Sequence, residues 1–375
     1  MKICHVTNVH PPFDGRIFHK MASSAALNGY DVTLVAPHDK EEIRNGVKIK
    51  PINKPKSRLN RMLSTIKLRK LLLSIDADIY HFHDPELIPI MLSVHSFRRK
   101  VIYDIHEFNR EAIRNKKWLP KILRLVLSKL TWEIEKLACR RFDCTISATE
   151  ELSKVYEPYS NNNKYIWNYD FNKDIDINSK QENKDIDIIH VGLLVQERLD
   201  FLLDVIDELN SRGLYYNWCF VGVPTDLYEK RYHSYDKKKR EHIKIIGRIP
   251  FEDVRQYYLR SKIGINYHVL DSQLMVAMPL KIFEYMKQGL TVVTSNLPPI
   301  NRFVKNNING IIIKDNNIEE FADSIYRLIE KGDFEKISKV NKLEILHNYN
   351  WESEAEKLMS IYEEVYKGTR KERHR

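Results

Sequence analysis

Apolar residues fall in short runs separated by helix-length segments along nearly the whole chain. Residues 2–8 read as a strand, 9–15 as a loop, 16–28 as a helix and 31–36 as a second strand. Further strand-like runs at 78–83, 100–105 and 144–148 are each a helix's length from the next. Strands that alternate with helices pair in parallel, because each crossover helix returns the chain to the end where the previous strand began. From residue 158 to 187 the sequence turns polar and rich in Asn, Asp and Lys, apart from a strand-like Tyr165-Ile166-Trp167. That shift places a domain boundary near residue 175. The alternation restarts at 186–192 and continues through 218–221, 243–246, 263–268, 290–294 and 310–313. A last helix over 351–366 precedes a charged tail, 367–375, expected to fray. Two Rossmann-like α/β domains in series are the simplest reading.

A length of 375 residues suits two domains, and 43% hydrophobic with 30% charged residues excludes collagen-like, disulfide-scaffold and wholly disordered chains. No apolar run approaches the length of a spanning helix, and the N-terminus lacks a secretory h-region, so a cytoplasmic protein is expected. Cys4, Cys139, Cys144 and Cys219 have no zinc-ligand spacing and read as buried thiols. Charge is uneven: residues 1–165 hold 29 Lys and Arg against 18 Asp and Glu, and residues 166–375 hold 32 against 33. The excess of cations points to an anionic partner of the first domain. Two basic amphipathic stretches, 54–75 and 116–141, lie in that half. In the second, Leu119, Ile122, Leu123, Val126 and Leu130 recur at helical spacing, and most of them are expected in the core. Trp118 and the neighbouring lysines also suit an interfacial helix on anionic lipid.

In a parallel sheet the ligand-binding loops follow the carboxyl ends of the strands. The first is His10-Pro11-Pro12-Phe13-Asp14-Gly15-Arg16, where Gly15 would admit a ligand, or simply turn the loop. No dinucleotide glycine fingerprint or P-loop is present, so nicotinamide dehydrogenases and P-loop NTPases lack their signature. His81-Phe82-His83-Asp84 and Asp104-Ile105-His106-Glu107 each set histidine beside a carboxylate, which suits hydrogen bonding to a hydroxyl or proton transfer near neutral pH. Strand-end histidines satisfied by backbone fit the same pattern. His81, His83 and His106 with Asp84 also have metal-ligand chemistry, but nothing in their spacing fixes a tetrahedral or octahedral set. In the second half, Gly192-Leu193-Leu194-Val195-Gln196-Glu197-Arg198 runs into a helix whose Arg198 could clamp a diphosphate. Residues 278–289 form a Pro-opened, Gly-closed helix with Glu284 one turn in, able to hold the hydroxyls of a ribose or merely to complement the helix dipole.

Taken in order, these segments resemble the retaining glycosyltransferases of family 4, which have the GT-B fold. The resemblance is carried by HVTNVHPPFDGRIFHK, YHFHDPE, VIYDIHEF, IWNYD, IIHVGLLVQERLDFLLDVI, IKIIGRIPFEDVRQYY, AMPLKIFEYMKQGLTVVTSN, NNINGIIIKDNNIEEFADSI and the closing WESEAEKLMSIYEEVY. It implies two Rossmann-like doubly wound parallel-sheet domains facing a cleft. Residues 1–170 would bind the acceptor, 171–350 the nucleotide-sugar donor, and 351–375 would form a helix crossing back to the first domain with a basic tail. Carried over by position, His106 would be catalytic, at the donor sugar. Gly15, Arg198, Arg248, Lys281 and Glu284 would bind the donor, and Asp14, Arg16 and His83 would lie on the acceptor side. Neither a metal nor a cofactor beyond the donor is expected. Three positions depart from the family pattern: Leu193 replaces an arginine, Val276 the first of two paired glutamates, and Gly15 stands where many members have two glycines.

The reaction implied is transfer of a hexosyl or N-acetylhexosaminyl group to a saccharide or lipid-linked acceptor with retention, in bacterial surface polysaccharide or glycolipid assembly. The departing phosphate would take the acceptor proton. A peripheral position on the inner face of the cytoplasmic membrane fits the basic first domain. A UDP-sugar epimerase of the same fold and a non-catalytic protein acting through the basic face are the alternatives. Nucleic acid is not expected as a partner, since neither RNP-like strands nor a helix-turn-helix is evident.

Overall fold

The computed structural model describes residues 1–53, 58–116, 118–178, 184–223, 233–314 and 317–372. It divides into two compact units, Met1–Asn168 with Trp351–Arg375, and Tyr169–Asn350. In the first unit β1 (Lys2–Val6) leads through a π-wound helical segment, Gly15–Ala22, into α1 (Ser23–Leu27) and β2 (Asp31–Pro37). There follow β3 (Glu42–Arg44), β4 (Val47–Ile52), α2 (Arg58–Ile75), β5 (Ile79–Phe82), α3 (Ile88–Val94), β6 (Lys100–Ile105), α4 (Asn109–Arg114), α5 (Lys121–Cys139), β7 (Cys144–Ser147), α6 (Glu150–Tyr156) and β8 (Asn163–Tyr165). Among the described residues the sheet has the order β3-β4-β2-β1-β5-β6-β7-β8 and is parallel except for the β3–β4 pair. β1 is central and wholly enclosed beyond Lys2, flanked by β2 and β5, so its carboxyl end opens at the middle of the sheet.

In the second unit β9 (Ile186–Val191), α7 (Gln196–Ser211), β10 (Trp218–Val221), α8 (Lys237–Glu241), β11 (Ile243–Ile246), α9 (Phe251–Leu259), β12 (Ser261–Asn266), α10 (Lys281–Lys287), β13 (Thr291–Ser295), β14 (Gly310–Ile313), α11 (Ile318–Lys331) and α12 (Phe334–His347) follow in turn. The all-parallel sheet runs β11-β10-β9-β12-β13-β14, and Leu202, Val205, Ile206, Phe220, Ile263, Ile265 and Phe321 pack its core. Asn317 and Asp333 cap α11 and α12 by accepting from Glu320 N and Lys336 N. Gly289, at φ +74°, closes α10, where a side chain would collide with Ser338.

The last helix, α13 (Trp351–Glu372), belongs to the first unit. Trp351 Nε1 donates to Ser24 Oγ at 2.8 Å and Tyr30 OH to Glu363 at 3.0 Å, while Leu358, Ile361, Tyr362 and Val365 are buried. The helix continues through Glu372, past the expected end at Tyr366, so the basic tail is helical as far as it is described and residues 373–375 lie outside the described residues.

Several expectations shift. The chain passes from one unit to the other at Asn168, two residues before the 170/171 division and seven before the composition shift near residue 175. Ile166 and Trp167 are buried in the first unit, their backbones held by Arg16 and Glu354, and Tyr169 packs on Phe283 and Phe303 of the second. The hairpin of β3 and β4 was not anticipated, which makes residues 79–82 the fifth strand rather than the third. On α5 the expectation is reversed: Ile122, Leu123, Val126 and Leu130 are exposed, and Ser128, Trp132, Glu135, Ala138 and Cys139 are buried. Glu135 sets this orientation, because it accepts from Tyr103 OH at 2.8 Å, Asn109 Nδ2 at 2.7 Å and Tyr156 OH at 3.2 Å beneath the helix. Residues 54–57 of the other basic stretch and Lys117 lie outside the described residues, as do 179–183 of the polar run. All four cysteines are buried and free.

Candidate functional site

Strand pairing gathers the histidines of the first unit. His5 lies in register with His81 on the neighbouring strand, and side chains two apart along a strand share a face, so His81 and His83, and Asp104 and His106, follow one another toward the carboxyl ends. His5 Nδ1 lies 3.0 Å from His83 Nε2, and His83 Nδ1 lies 3.0 Å from Asp104 Oδ2 and 3.2 Å from His106 Nε2. Tyr362 OH stands 3.2 Å from His5 Nε2 and 2.8 Å from His81 Nδ1.

Asp104 fixes the proton positions in this chain. Burial alone would raise its pKa, but Arg16 and His106 hold the carboxyl well below its usual range. Arg16 donates to both its oxygens, at 3.0 and 2.8 Å. A carboxylate only accepts, so the protons on His83 Nδ1 and His106 Nε2 point at it. Burial pushes His83 down to about 3 and also lowers His5 and His81, so all three rings are neutral. His83 Nε2 then accepts from His5 Nδ1–H, His5 Nε2 accepts from Tyr362 OH, and Tyr362 accepts from His81 Nδ1–H. His81 Nε2 is left as a buried lone pair without a partner. His106 Nε2 lies 2.9 Å from Asp104 Oδ2, the same carboxylate oxygen that faces His83.

A cavity of about 730 Å³ opens over this network, lined among others by His10, His83, Asp84, His106, Lys116 and Ile134. Asp84 accepts from Thr7 Oγ1 and Asn8 N, each at 2.7 Å. His10 lies 3.5 Å from Asp14 and 3.4 Å from Asp84; the hydrogen bond with Asp14 is the main reason its pKa is raised. Two groups, His5-His81-His83 and His83-Asp104-His106, have ligand atoms close enough to hold a metal ion. As they stand, His5 Nδ1 bonds His83 Nε2, His81 Nδ1 bonds Tyr362, and His83 Nδ1 and His106 Nε2 both bond Asp104.

The other first-unit residues selected from sequence have different surroundings. Asp14 caps the helical segment by accepting from Arg16 N and Ile17 N, both at 2.9 Å. Arg16 is buried and turned inward, beneath the cavity rather than in its lining. Gly15 is exposed, with open space where a side chain would stand.

In the second unit Gly192 ends β9 at φ +106°, a conformation that favours glycine, and a Cβ there would lie 3.6 Å from Lys281 Nζ. The helix α7 begins without a side-chain cap from Val195, and its positive dipole end faces this place. Lys281 is depressed to about 8, first by burial and then by the nearby charge of Arg198. His268 is held down to about 3 by burial and by the same two cations. Arg198 itself is lowered by burial. Three nitrogenous groups thus crowd one place at the carboxyl end of the sheet; burial disfavours the charged form of all three, and the nearby positive charge adds to this at Lys281 and His268, a cost that a bound anion relieves. One turn along α10, Glu284 accepts from Tyr258 OH at 2.6 Å. The hydroxyl of Tyr285 ties α10 to the sheet by accepting from Val191 N and donating to Ile265 O. Arg248 is exposed on the loop after β11, and no hydrogen bond or ion pair described here joins it to Arg198, Lys281 or Glu284. Leu193 is exposed on the loop after Gly192.

Sequence reasoning missed His5, Tyr362 and the clamping role of Asp104 in the first unit, and His268 and Tyr258 in the second. The alternation of His81 and His83 carried a signal for the first cluster; Tyr362 and Tyr258 sit in ordinary amphipathic helices that offered none.

Two parallel-sheet α/β units, each with its polar cluster at the carboxyl ends of the strands, define a GT-B architecture. Residues 15–168 match the family model "Glycosyltransferase Family 4" and residues 171–344 match "Glycosyl transferases group 1". The chain belongs to this glycosyltransferase family. It is 27% identical over 170 residues to spore coat protein SA of Bacillus subtilis, 44% of each chain. It is 29% identical over 85 residues to the UDP-Gal:alpha-D-GlcNAc-diphosphoundecaprenol alpha-1,3-galactosyltransferase of Escherichia coli, 23% of this chain and 22% of that one. The chain thus spans less than half the length of these curated relatives. In fold it resembles sucrose-phosphate synthase from Thermosynechococcus elongatus, with a TM-score of 0.74, 11% identity and 98% and 100% of the two chains covered. Anabaena HepE, solved in complex with UDP, gives a TM-score of 0.72, 14% identity and coverage of 97% and 100%.

Proposed function

We propose that this protein transfers a hexosyl or N-acetylhexosaminyl group from a nucleoside diphosphate sugar to a hydroxyl of a saccharide or lipid-linked acceptor, with retention of configuration. The observation that carries this reading is the convergence of Arg198, Lys281 and His268 near Glu284. A diphosphate meets the two cations Arg198 and Lys281, with neutral His268 beside them, and Glu284, held by Tyr258, accepts from the hydroxyls of a ribose. Arg248 and the loop it stands on serve the base, and Gly15 leaves room for the donor phosphate.

In the reaction the bond from the anomeric carbon to the diphosphate breaks and a bond to the acceptor oxygen forms on the same face. The acceptor proton passes to the departing phosphate oxygen. Arg198 and Lys281 stabilise that leaving group, an electrostatic contribution that grows as charge develops on it. His106, its Nε2 on Asp104, meets a sugar hydroxyl through its other ring nitrogen and is the catalytic residue. Asp104 is committed to Arg16 through both oxygens, which supports same-face displacement over attack by a carboxylate. Asp14, Arg16 and His83 act on the acceptor side by holding the cavity in shape. HepE was solved with UDP and with UDP and glucose, and the Escherichia coli relative is named for a UDP-galactose donor, which supports the donor class.

The setting that suits a lipid-linked acceptor is surface polysaccharide or glycolipid assembly on the inner face of a bacterial cytoplasmic membrane. No helix among the described residues is long and apolar enough to cross a membrane. Incubation with nucleotide sugars and candidate acceptors, followed by NMR of the anomeric linkage in the product, tests the proposal. An axially linked product from an axial donor is expected. Inverted linkage, or epimerised sugar formed from donor alone, contradicts it.

A further inference from the structure

The outer face of α5 is apolar. Leu123, Val126, Leu130, Ile134 and Leu137, spaced three and four residues apart, are between 42% and 61% exposed. Ile122 and Trp118 extend the row toward the start of the helix. A helix on the surface of a soluble domain places polar residues there, so a continuous apolar row marks an interaction surface. Cations border it: Lys129 and Arg140, eleven residues apart and so on one side of the row, are exposed, and residues 110–141 hold ten Lys and Arg against three acidic residues. Two of those acids, Glu111 and Glu135, are buried, and the third, Glu133, pairs with Lys136. The row also leads to the site, because Ile134 and Thr131 line the cavity that holds His83 and His106.

We propose that this face of α5 rests on an anionic lipid bilayer, its apolar row at the headgroup boundary and Lys129 and Arg140 on lipid phosphates. An acceptor anchored in that bilayer then reaches the cavity past Ile134. The surface deepens the glycosyl-transfer reading and rests on it only for the identity of what enters the cavity. Charge selects a bilayer over a second copy of the chain. A two-fold contact through the row sets Lys129, Lys136 and Arg140 of both copies against one another, with only Glu133, already paired with Lys136, of opposite sign.

The test is flotation of the full chain with vesicles of phosphatidylcholine alone and of phosphatidylcholine with phosphatidylglycerol. Binding is expected only with phosphatidylglycerol and is expected to weaken as salt rises. Replacing Lys129→Gln with Arg140→Gln lowers the partition constant roughly twenty-five-fold, at about fivefold for each cation lost. Val126→Ser with Leu130→Ser reduces it as well, and circular dichroism of each variant checks that these exposed changes leave the fold intact. Equal binding to both vesicles, no binding to either, or a dimer in solution that Leu130→Ser dissociates overturns the proposal. Flotation requires no sugar transfer, so its failure leaves the donor site standing. Flotation without nucleotide binding keeps the surface and removes the donor reading.

Discussion

Tyr362 on the final helix lies 2.8 Å from Nδ1 of His81, a residue 281 positions earlier in the chain. That hydroxyl is the far end of a line of neutral histidines whose proton order is set at the other end by Asp104. The C-terminal helix is therefore wired into the polar cluster as well as packed on it.

Removing the hydroxyl with Tyr362→Phe strips His5 Nε2 and His81 Nδ1 of a buried partner. A loss of about 1–3 kcal/mol in stability is expected from urea unfolding. His83 keeps its Nδ1 proton, since Asp104 and not Tyr362 dictates it, and nitrogen-15 NMR of the histidines reads this directly. A change of tautomer at His83 in this variant contradicts the assigned proton order.

Asp104→Asn has a larger effect. It leaves the buried Arg16 guanidinium without its counter-charge and frees His106 Nε2 from a fixed acceptor. Loss of one partner of a buried ion pair costs about 3–5 kcal/mol, so the variant melts markedly lower. Arg16→Lys keeps the charge but cannot donate to both oxygens, and a smaller loss of stability is expected.

Lys281 supplies a pH dependence. Its pKa is about 8 in the free protein, and a bound diphosphate raises it. Affinity for the nucleoside diphosphate is then level below about pH 8 and declines above it, up to tenfold per pH unit, in calorimetric titrations. Lys281→Ala flattens that decline and weakens binding by roughly ten- to a hundredfold, the value of a charge-assisted hydrogen bond. An unchanged pH profile in this variant removes Lys281 from the diphosphate site.

Glu135 makes the opposite statement about stability. Burial raises its carboxyl from 4.5 to about 7, so between those values the folded protein holds a proton that the unfolded chain has lost. Stability due to this group therefore falls as pH rises from about 4.5 to 7 and is level above. Its magnitude is of order 3 kcal/mol. Glu135→Gln removes this slope from a series of thermal melts, and a slope that persists assigns it elsewhere.

Much of the fold was legible because parallel strands are buried on both faces and announce themselves as short apolar runs; β6, β10, β11 and β14 fall where expected. The β3–β4 hairpin was legible too but went unread: Asn45-Gly46, with φ of 50° and 77°, is the turn dipeptide that the twist of a hairpin demands. The face of α5 was not legible. Periodicity shows that Leu123, Val126 and Leu130 share a side but not which side is buried, and the decision lay with Glu135, whose partners Tyr103 and Tyr156 are distant in sequence. At the candidate site, loops after strands pointed to His106, Arg198 and Glu284. The partners that fix their geometry, Arg16 on Asp104 and Tyr258 on Glu284, depend on helix packing that no local pattern encodes.

The central claim is that the cluster at the carboxyl end of the second sheet binds the diphosphate and ribose of a nucleotide-sugar donor. Titration calorimetry with UDP, GDP, ADP and dTDP, on the unsubstituted protein and on Arg198→Ala and Glu284→Ala, tests it most directly. One nucleotide is expected to bind, each substitution is expected to weaken it by about tenfold or more, and melting without nucleotide is expected to stay unchanged. Binding of none of the four, or undiminished binding in both variants, contradicts the account.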